Sequence, residues 1–231
     1  SAIAGDYLAC LACLEKSPPI VVQREYNPPS FTDPRTLAIA SSYSGATEET
    51  LSAFQQALKR GAKVLSITAG GELASLSRKN HIPVLTIDLN GEPRTAVGFA
   101  FFALLGVFQG LGIISPKETE VERAIASLEN QASLLKTDIP SADNEAKRLA
   151  HFLHGKVPVV YGAEILAGVA RAWKTGLNEN AKVWAFSERL PELDHNSVVG
   201  YSLPKRAKKG LALVFLRSSL LHPRTQLRYR V

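Results

Sequence analysis

Methionine is missing from all 231 residues of the chain. With no initiator, and with an apolar helical pattern (Ile3, Leu8, Leu11, Leu14) running from the outset, the chain is expected to be a fragment or a processed product. No signal-peptide pattern stands at its start. Cysteine is nearly absent: the two present form Cys10-Leu-Ala-Cys13. Zinc would need a second ligand pair of similar spacing, and none of the five histidines supplies one, so no metal is expected. A redox pair belongs at a helix start. This one lies among Leu8, Leu11 and Leu14, which favours two buried core thiols over redox chemistry. So few cysteines fit a cytoplasmic protein.

Other absences narrow the function. There is no G-x-x-x-x-G-K-[ST], which argues against a P-loop NTPase. No G-x-G-x-x-G follows a strand, so dinucleotide binding has no support, and no cofactor is expected. The longest apolar stretch, near 96–114, is broken by Gly98, Gly106, Gly110, Gly112 and Gln109. It lacks a basic flank and sits within an alternating strand–helix pattern, so a buried helix is expected rather than a membrane span. Acidic residues are outnumbered, 21 against 27 basic ones, leaving a net charge of +6. Part of the excess lies late, in Lys205-Arg206-Ala-Lys208-Lys209 and at Arg217, Arg224, Arg228 and Arg230. Nucleic-acid binding is one reading. A solvated basic loop before a strand is the other. With no recognition motif or aromatic series beside the charges, it is preferred, and no nucleic-acid partner is expected.

What is present is a globular composition, 45% hydrophobic and 21% charged, in a chain long enough for one large or two small domains. Helix 1–14 is followed by Pro18-Pro19 and an apolar run at 20–23 that reads as a short strand. Strand 37–41, helix 49–60, strand 63–67, a turn at Gly70-Gly71, helix 72–79 and strand 83–87 come next. A long apolar helix begins after Asn90-Gly-Glu-Pro-Arg94 and ends before Pro116. More polar helices cover 118–138 and 140–154. The pattern then restarts with strand 157–161, helix 164–175, strand 182–186 and strand 211–215. Strands separated by helices imply an α/β protein with parallel sheets and right-handed crossovers. The expected organisation is a first subdomain at 1–114, a helical linker at 115–150 and a second subdomain at 151–231.

Three stretches carry chemistry. In Ser42-Tyr43-Ser44-Gly45-Ala46-Thr47-Glu48-Glu49-Thr50, hydroxyls and a glycine sit where a strand hands over to a helix N-terminus. Unpaired N–H groups and the positive end of the helix dipole favour a phosphate there. The alternative is a Ser/Thr turn with Thr47 as N-cap and Glu48 and Glu49 favouring the first turn. In Asn178-Glu179-Asn180, just after a helix expected to end near Gly176, Glu179 is either a general base oriented by its neighbours or a wet loop residue. In Asp194-His195-Asn196, the imidazole is either a proton shuttle or a capping-loop histidine. Arg94, in the first turn of a helix, opposes the macrodipole and asks for an anion. His81, His151, His154 and His222 have surface or packing roles.

The stretch 42–50 resembles the phosphosugar-binding motif of the sugar isomerase (SIS) fold. The opening Ser1-Ala-Ile-Ala-Gly-Asp6 is similar to the end of a Gly-Gly-Ser-Ala-Ile-Ala-Gly-Asp segment of the bifunctional phosphoglucose/phosphomannose isomerase family. Leu177-Asn-Glu-Asn-Ala-Lys182 and Pro191-Glu-Leu-Asp-His-Asn196 resemble that family too. The resemblance implies two doubly wound, three-layer SIS subdomains and a homodimer. It implies conversion of glucose 6-phosphate, and of mannose 6-phosphate, to fructose 6-phosphate without metal or cofactor. Ser1, Ser42, Ser44 and Thr47 then match phosphate-binding positions, and Arg94 matches the arginine that stabilises an enediolate. Glu179 matches the base that moves a proton between C1 and C2. His195 matches the histidine of ring opening, thought in this family to reach the neighbouring subunit's site. Against that family, the chain begins inside the first glycine-rich segment and stops before a further strand and a C-terminal helix. Two other readings remain: a non-catalytic SIS module sensing a sugar phosphate, which would not need Glu179 and His195, and an SIS isomerase of amino-sugar or heptose phosphates.

Overall fold

The computed structural model describes residues 2–89 and 91–230. Ser1, Asn90 and Val231 lie outside the described residues. The chain divides into two compact units, Ser1–Ile114 and Ser115–Val231.

The first unit contains α1 (Ala2–Ala12), β1 (Leu37–Ser41), α2 (Glu48–Lys59), β2 (Lys63–Thr68), α3 (Gly71–Lys79), β3 (Val84–Thr86) and α4 (Val97–Gly110). Its sheet is parallel, in the order β1-β2-β3, with Ser41 opposite Ile67 and Ser66 opposite Val84. The helical spacing of Leu51, Phe54 and Leu58 turns one face of α2 onto this sheet, where Phe54 and Ala57 are buried with Val64 and Leu73. Gly61 ends α2 in the left-handed region, at φ 75°, and its N–H bonds the Leu58 carbonyl. α1 packs on α4, with Tyr7 and Phe101 edge to face at 5.9 Å.

The second unit contains α5 (Glu118–Leu134), α6 (Glu145–Leu153), β4 (Val157–Ala163), α7 (Ala167–Asn180), β5 (Phe186–Leu190), α8 (Lys205–Lys209), β6 (Leu211–Phe215) and α9 (Pro223–Arg228). Its sheet is parallel in the order β5-β4-β6, so β4 is central. α7 lies on β4 and β5. A Cβ on Gly162 would stand 2.4 Å from the Leu166 carbonyl oxygen and 2.8 Å from Ala170 Cβ, so only glycine admits this approach. Tyr161, Ala163, Leu190, Leu193 and Leu221 form the core. Both units are α/β, with parallel strands alternating with helices.

Four expectations fail locally. Residues 20–23 form no strand: β1 is an edge strand, and a ladder needs a partner, which the apolar run lacks among the described residues. α7 runs through Gly176 to Asn180, because packing on the sheet outweighs one glycine's helix penalty; the helix stops only where Lys182 takes φ 55°. The strand expected at 182–186 forms at Phe186–Leu190. There Leu190 is buried opposite Ala163, whereas Trp184 is 76% exposed. Finally, Cys13 is exposed and Cys10 half-buried, because α1 turns Ala4, Leu8 and Ala12 inward instead.

Among the described residues no helix is long and apolar enough to cross a membrane.

Candidate active site

The 42–47 loop is held by bonds that its own sequence does not announce. Ser42 is buried, and its Oγ lies 2.8 Å from Thr47 Oγ1 while accepting the Gly45 N–H. Thr47 is therefore the N-cap of α2 by position, but its hydroxyl reaches across the loop and does not cap the helix. The Ser42 N–H bonds the Ile67 carbonyl at 3.0 Å, the Ala69 N–H bonds the Tyr43 carbonyl at 3.0 Å, and the Leu73 N–H bonds the Gly45 carbonyl at 2.8 Å. Buried Thr68 donates its hydroxyl to the Gly70 carbonyl. The loop is thus pressed against Gly70-Gly71. A Cβ on Gly45, at φ 66°, would lie 1.9 Å from the Gly70 carbonyl oxygen, and one on Gly71, at φ 68°, 2.2 Å from the Ser44 carbonyl oxygen.

With the Tyr43 and Gly45 carbonyls occupied in this way, the donors left on the exposed side are the Ser44 hydroxyl, whose Oγ accepts the Ala46 N–H and so keeps its own proton to give, and the N–H groups of the first turn of α2, with the exposed Thr47 hydroxyl paired to Ser42 beside them. That is the chemistry of an anion seat. Tyr43 fixes one flank, its hydroxyl donating to the Leu89 carbonyl at 2.5 Å and the Gly91 carbonyl at 3.1 Å. This ties the loop to the segment leading into Arg94. Arg94 sits on a 3-10 turn, Pro93–Thr95, ahead of α4, with its guanidinium 3.5 Å from the exposed Glu92 carboxylate. Ser1 lies outside the described residues. Thr68 and Gly70-Gly71 are the residues that sequence reasoning missed. Their only signal was a glycine pair directly after a strand.

In the second unit, Glu179 is on the last turn of α7 and exposed. Its carboxylate has no hydrogen bond among the described residues. The flanking amides do not touch it. Asn178 instead donates to the Val183 carbonyl at 2.8 Å, and Lys182 Nζ to the Glu179 carbonyl oxygen of the backbone at 2.6 Å, fixing the helix end. His195 ends the 3-10 turn Glu192–His195 after β5 and is also exposed. Its neighbours are tied down: Asp194 faces Arg228, and Asn196 donates to Glu192 and accepts from the Ser197 hydroxyl. The base candidate and the imidazole are thus presented on anchored backbone with their polar atoms open.

Glu164 was not anticipated. It follows β4 at φ 49°, and its carboxylate accepts the His222 N–H at 3.1 Å and the Thr225 hydroxyl at 2.7 Å. His222, expected in a surface or packing role, also caps α9, with Nδ1 accepting the Arg224 N–H. Behind these residues Tyr161 and Tyr201 share a hydrogen bond between their hydroxyls. Burial, and next that bond, pushes the Tyr161 phenol well above its ordinary value.

Residues 24–106 match the SIS domain family, and residues 142–231 match the family described as bacterial phospho-glucose isomerase C-terminal SIS domain. The chain is 38% identical over 229 residues to a bifunctional phosphoglucose/phosphomannose isomerase of Caldicellulosiruptor bescii, covering 99% of this chain and 68% of that protein. It is 34% identical over 196 residues to the protein of the same name in Aquifex aeolicus, covering 85% of this chain and 57% of that one. Among solved structures, tagatose-6-phosphate ketose/aldose isomerase from Escherichia coli superimposes with a TM-score of 0.66 at 20% identity, over 98% of this chain and 61% of that chain. That likeness concerns the fold.

Proposed function

The chain belongs to the bifunctional phosphoglucose/phosphomannose isomerase family, and from that premise we propose that it interconverts glucose 6-phosphate, and mannose 6-phosphate, with fructose 6-phosphate. The chain spans 68% and 57% of the two relatives' lengths, so the proposal concerns the protein to which these residues belong. The observation that carries it is the joint presence of a rigid anion seat at 42–47 and an unengaged carboxylate at Glu179. A sensing module would need only the first.

In this reading Ser42, Ser44, Thr47 and Ser1 hold the phosphate. Binding energy from that remote group positions the sugar for reaction. Glu179 takes the proton α to the carbonyl and returns it one carbon away, so a single base serves both directions. Arg94 stabilises the developing oxyanion. His195 exchanges the ring-oxygen proton, for which imidazole's near-neutral titration is suited. The working form is proposed to be a cytoplasmic homodimer.

The test is incubation of the full protein with fructose 6-phosphate in deuterated water, following label at C2 of the aldose products by NMR. Labelled glucose 6-phosphate and mannose 6-phosphate are expected. Binding without any aldose product would sink the isomerase reading.

A further inference from the structure

Each half of the chain has a strand opening on Leu-Ala, Leu37–Ser41 and Leu211–Phe215, that hands over through a serine-bearing loop to a helix. The first such loop is the anion seat described above. The second, residues 216–222, borders a cavity of about 250 Å3 lined by Arg217, Ser218, Ser219, Leu221, Gln226 and Tyr229. We infer that this cavity is a second anion-binding site, for a phosphate group carried free or on a small organic molecule.

Its donors and acceptors are sorted for an anion. Gln226 donates its carboxamide N–H groups to the Ser219 and Leu221 carbonyls, and Tyr229 its hydroxyl to the Leu216 carbonyl at 2.7 Å. Three of the loop carbonyls that would repel an anion, those of Leu216, Ser219 and Leu221, are therefore engaged by Gln226 of α9 and by Tyr229 just after it. Ser218 Oγ accepts the Leu220 N–H, which leaves its own proton to donate. The Ser219 hydroxyl has no partner among the described residues. Arg217 has no carboxylate partner among them either, and its guanidinium lies 5.9 Å from the Tyr229 ring centre, a placement that orients the planar fork. The nearby Glu164 carboxylate is already engaged by the His222 N–H and the Thr225 hydroxyl. The first loop has Tyr43 and Gly45 and binds through hydroxyls. The second carries the Arg217 guanidinium, which suits a small dianion. The volume lies below the roughly 300–1,000 Å3 of ordinary ligand pockets, which favours a phosphate with a small substituent over a nucleotide.

The test uses the full protein at low ionic strength, titrated with inorganic phosphate and, separately, with fructose 6-phosphate in a calorimeter. Wild type is expected to take two phosphates per chain and Arg217→Ala one. A Ser42→Ala/Ser44→Ala/Thr47→Ala variant is expected to keep one phosphate. Adding Arg217→Ala to that variant should weaken the remaining binding about tenfold or more. Uptake of inorganic phosphate alone at this site identifies free phosphate as the ligand, and uptake of both probes a phosphomonoester. Equal phosphate uptake by wild type and Arg217→Ala overturns the inference, as does a folded triple variant that binds none. If the triple variant does not fold, the wild-type and Arg217→Ala comparison decides alone. The outcome is independent of whether fructose 6-phosphate is isomerised.

Discussion

The carboxylate of Asp194 lies 3.4 Å from the guanidinium of Arg228, and the Asp194 side chain is only 7% exposed. The residue before His195 is thus pinned to one end of α9, while Glu164 pins the other end through His222 and Thr225. The last short helix braces the turn that carries the imidazole against the end of the central strand.

Arg228→Met should leave a mostly buried carboxylate without its cation. Because Arg228 is 42% exposed, the loss is expected to be modest, about 1–2 kcal/mol. Urea unfolding measures it. Adding Asp194→Asn should recover most of the loss, since the stranded charge is then gone. An unchanged urea midpoint in Arg228→Met would show that the pair contributes nothing.

Gly45→Ala should both destabilise the first unit and abolish phosphate binding at the 42–47 loop, because a left-handed backbone and a 1.9 Å approach to the Gly70 carbonyl oxygen coincide there. The expected loss is about 2–4 kcal/mol. Gly61→Ala is the control. Its φ is 75° but its nearest neighbour is the Pro34 side chain, Cγ at 3.3 Å, which need give by only a few tenths of an ångström, so a cost dominated by the conformational term of about 1–2 kcal/mol is expected, with phosphate binding at the 42–47 loop intact. Equal effects of the two substitutions on binding would remove the steric argument.

Glu179→Gln should lower kcat for fructose 6-phosphate about 100- to 10,000-fold with little change in KM. The carboxylate is exposed and makes no structural hydrogen bond among the described residues, so stability should change by less than about 0.5 kcal/mol. A variant that turns over normally removes Glu179 from the base role. One that unfolds contradicts the surface placement.

Tyr161 predicts an alkaline limb in stability. Its phenol is raised by burial, and next by the Tyr201 bond, above the ordinary value of about 10. Below that pH both the folded and unfolded chains keep the proton, and the contribution is fully present. As pH rises past about 10, the unfolded chain loses the proton first and stability falls, by up to about 1.4 kcal/mol per pH unit for this one group. Tyr161→Phe removes the group, so its urea midpoint should fall less steeply between pH 9 and pH 11 than that of wild type. Parallel slopes would show that Tyr161 titrates normally.

Much of the fold was legible because α/β proteins declare themselves through periodicity. Leu51, Phe54 and Leu58 mark a helix face, and strands 37–41 and 211–215 stand where their apolar runs place them. Three of the four local failures have one cause. At 20–23, at 182–186 and at Cys13, local hydrophobicity was read as burial or pairing, but a strand needs a partner and an apolar residue needs a surface to cover it. Gly176 failed in the opposite sense, because packing of α7 on β4 carries the helix through a residue with poor propensity.

At the site the division is similar. The hydroxyls of 42–47, Glu179 and His195 could be nominated from residue types and motif likeness. What those side chains do locally could not. The Ser42–Thr47 pairing, the contact of Gly45 with Gly70, the Tyr43 tie to Leu89 and the Asp194–Arg228 pair join residues that only the folded chain brings together. By itself the sequence determined which elements form and which chemical groups are available, since helix and strand periods are local properties of the chain. Tertiary structure alone decided register, exposure and the way the 42–47 loop is held, since these depend on distances between segments far apart in sequence.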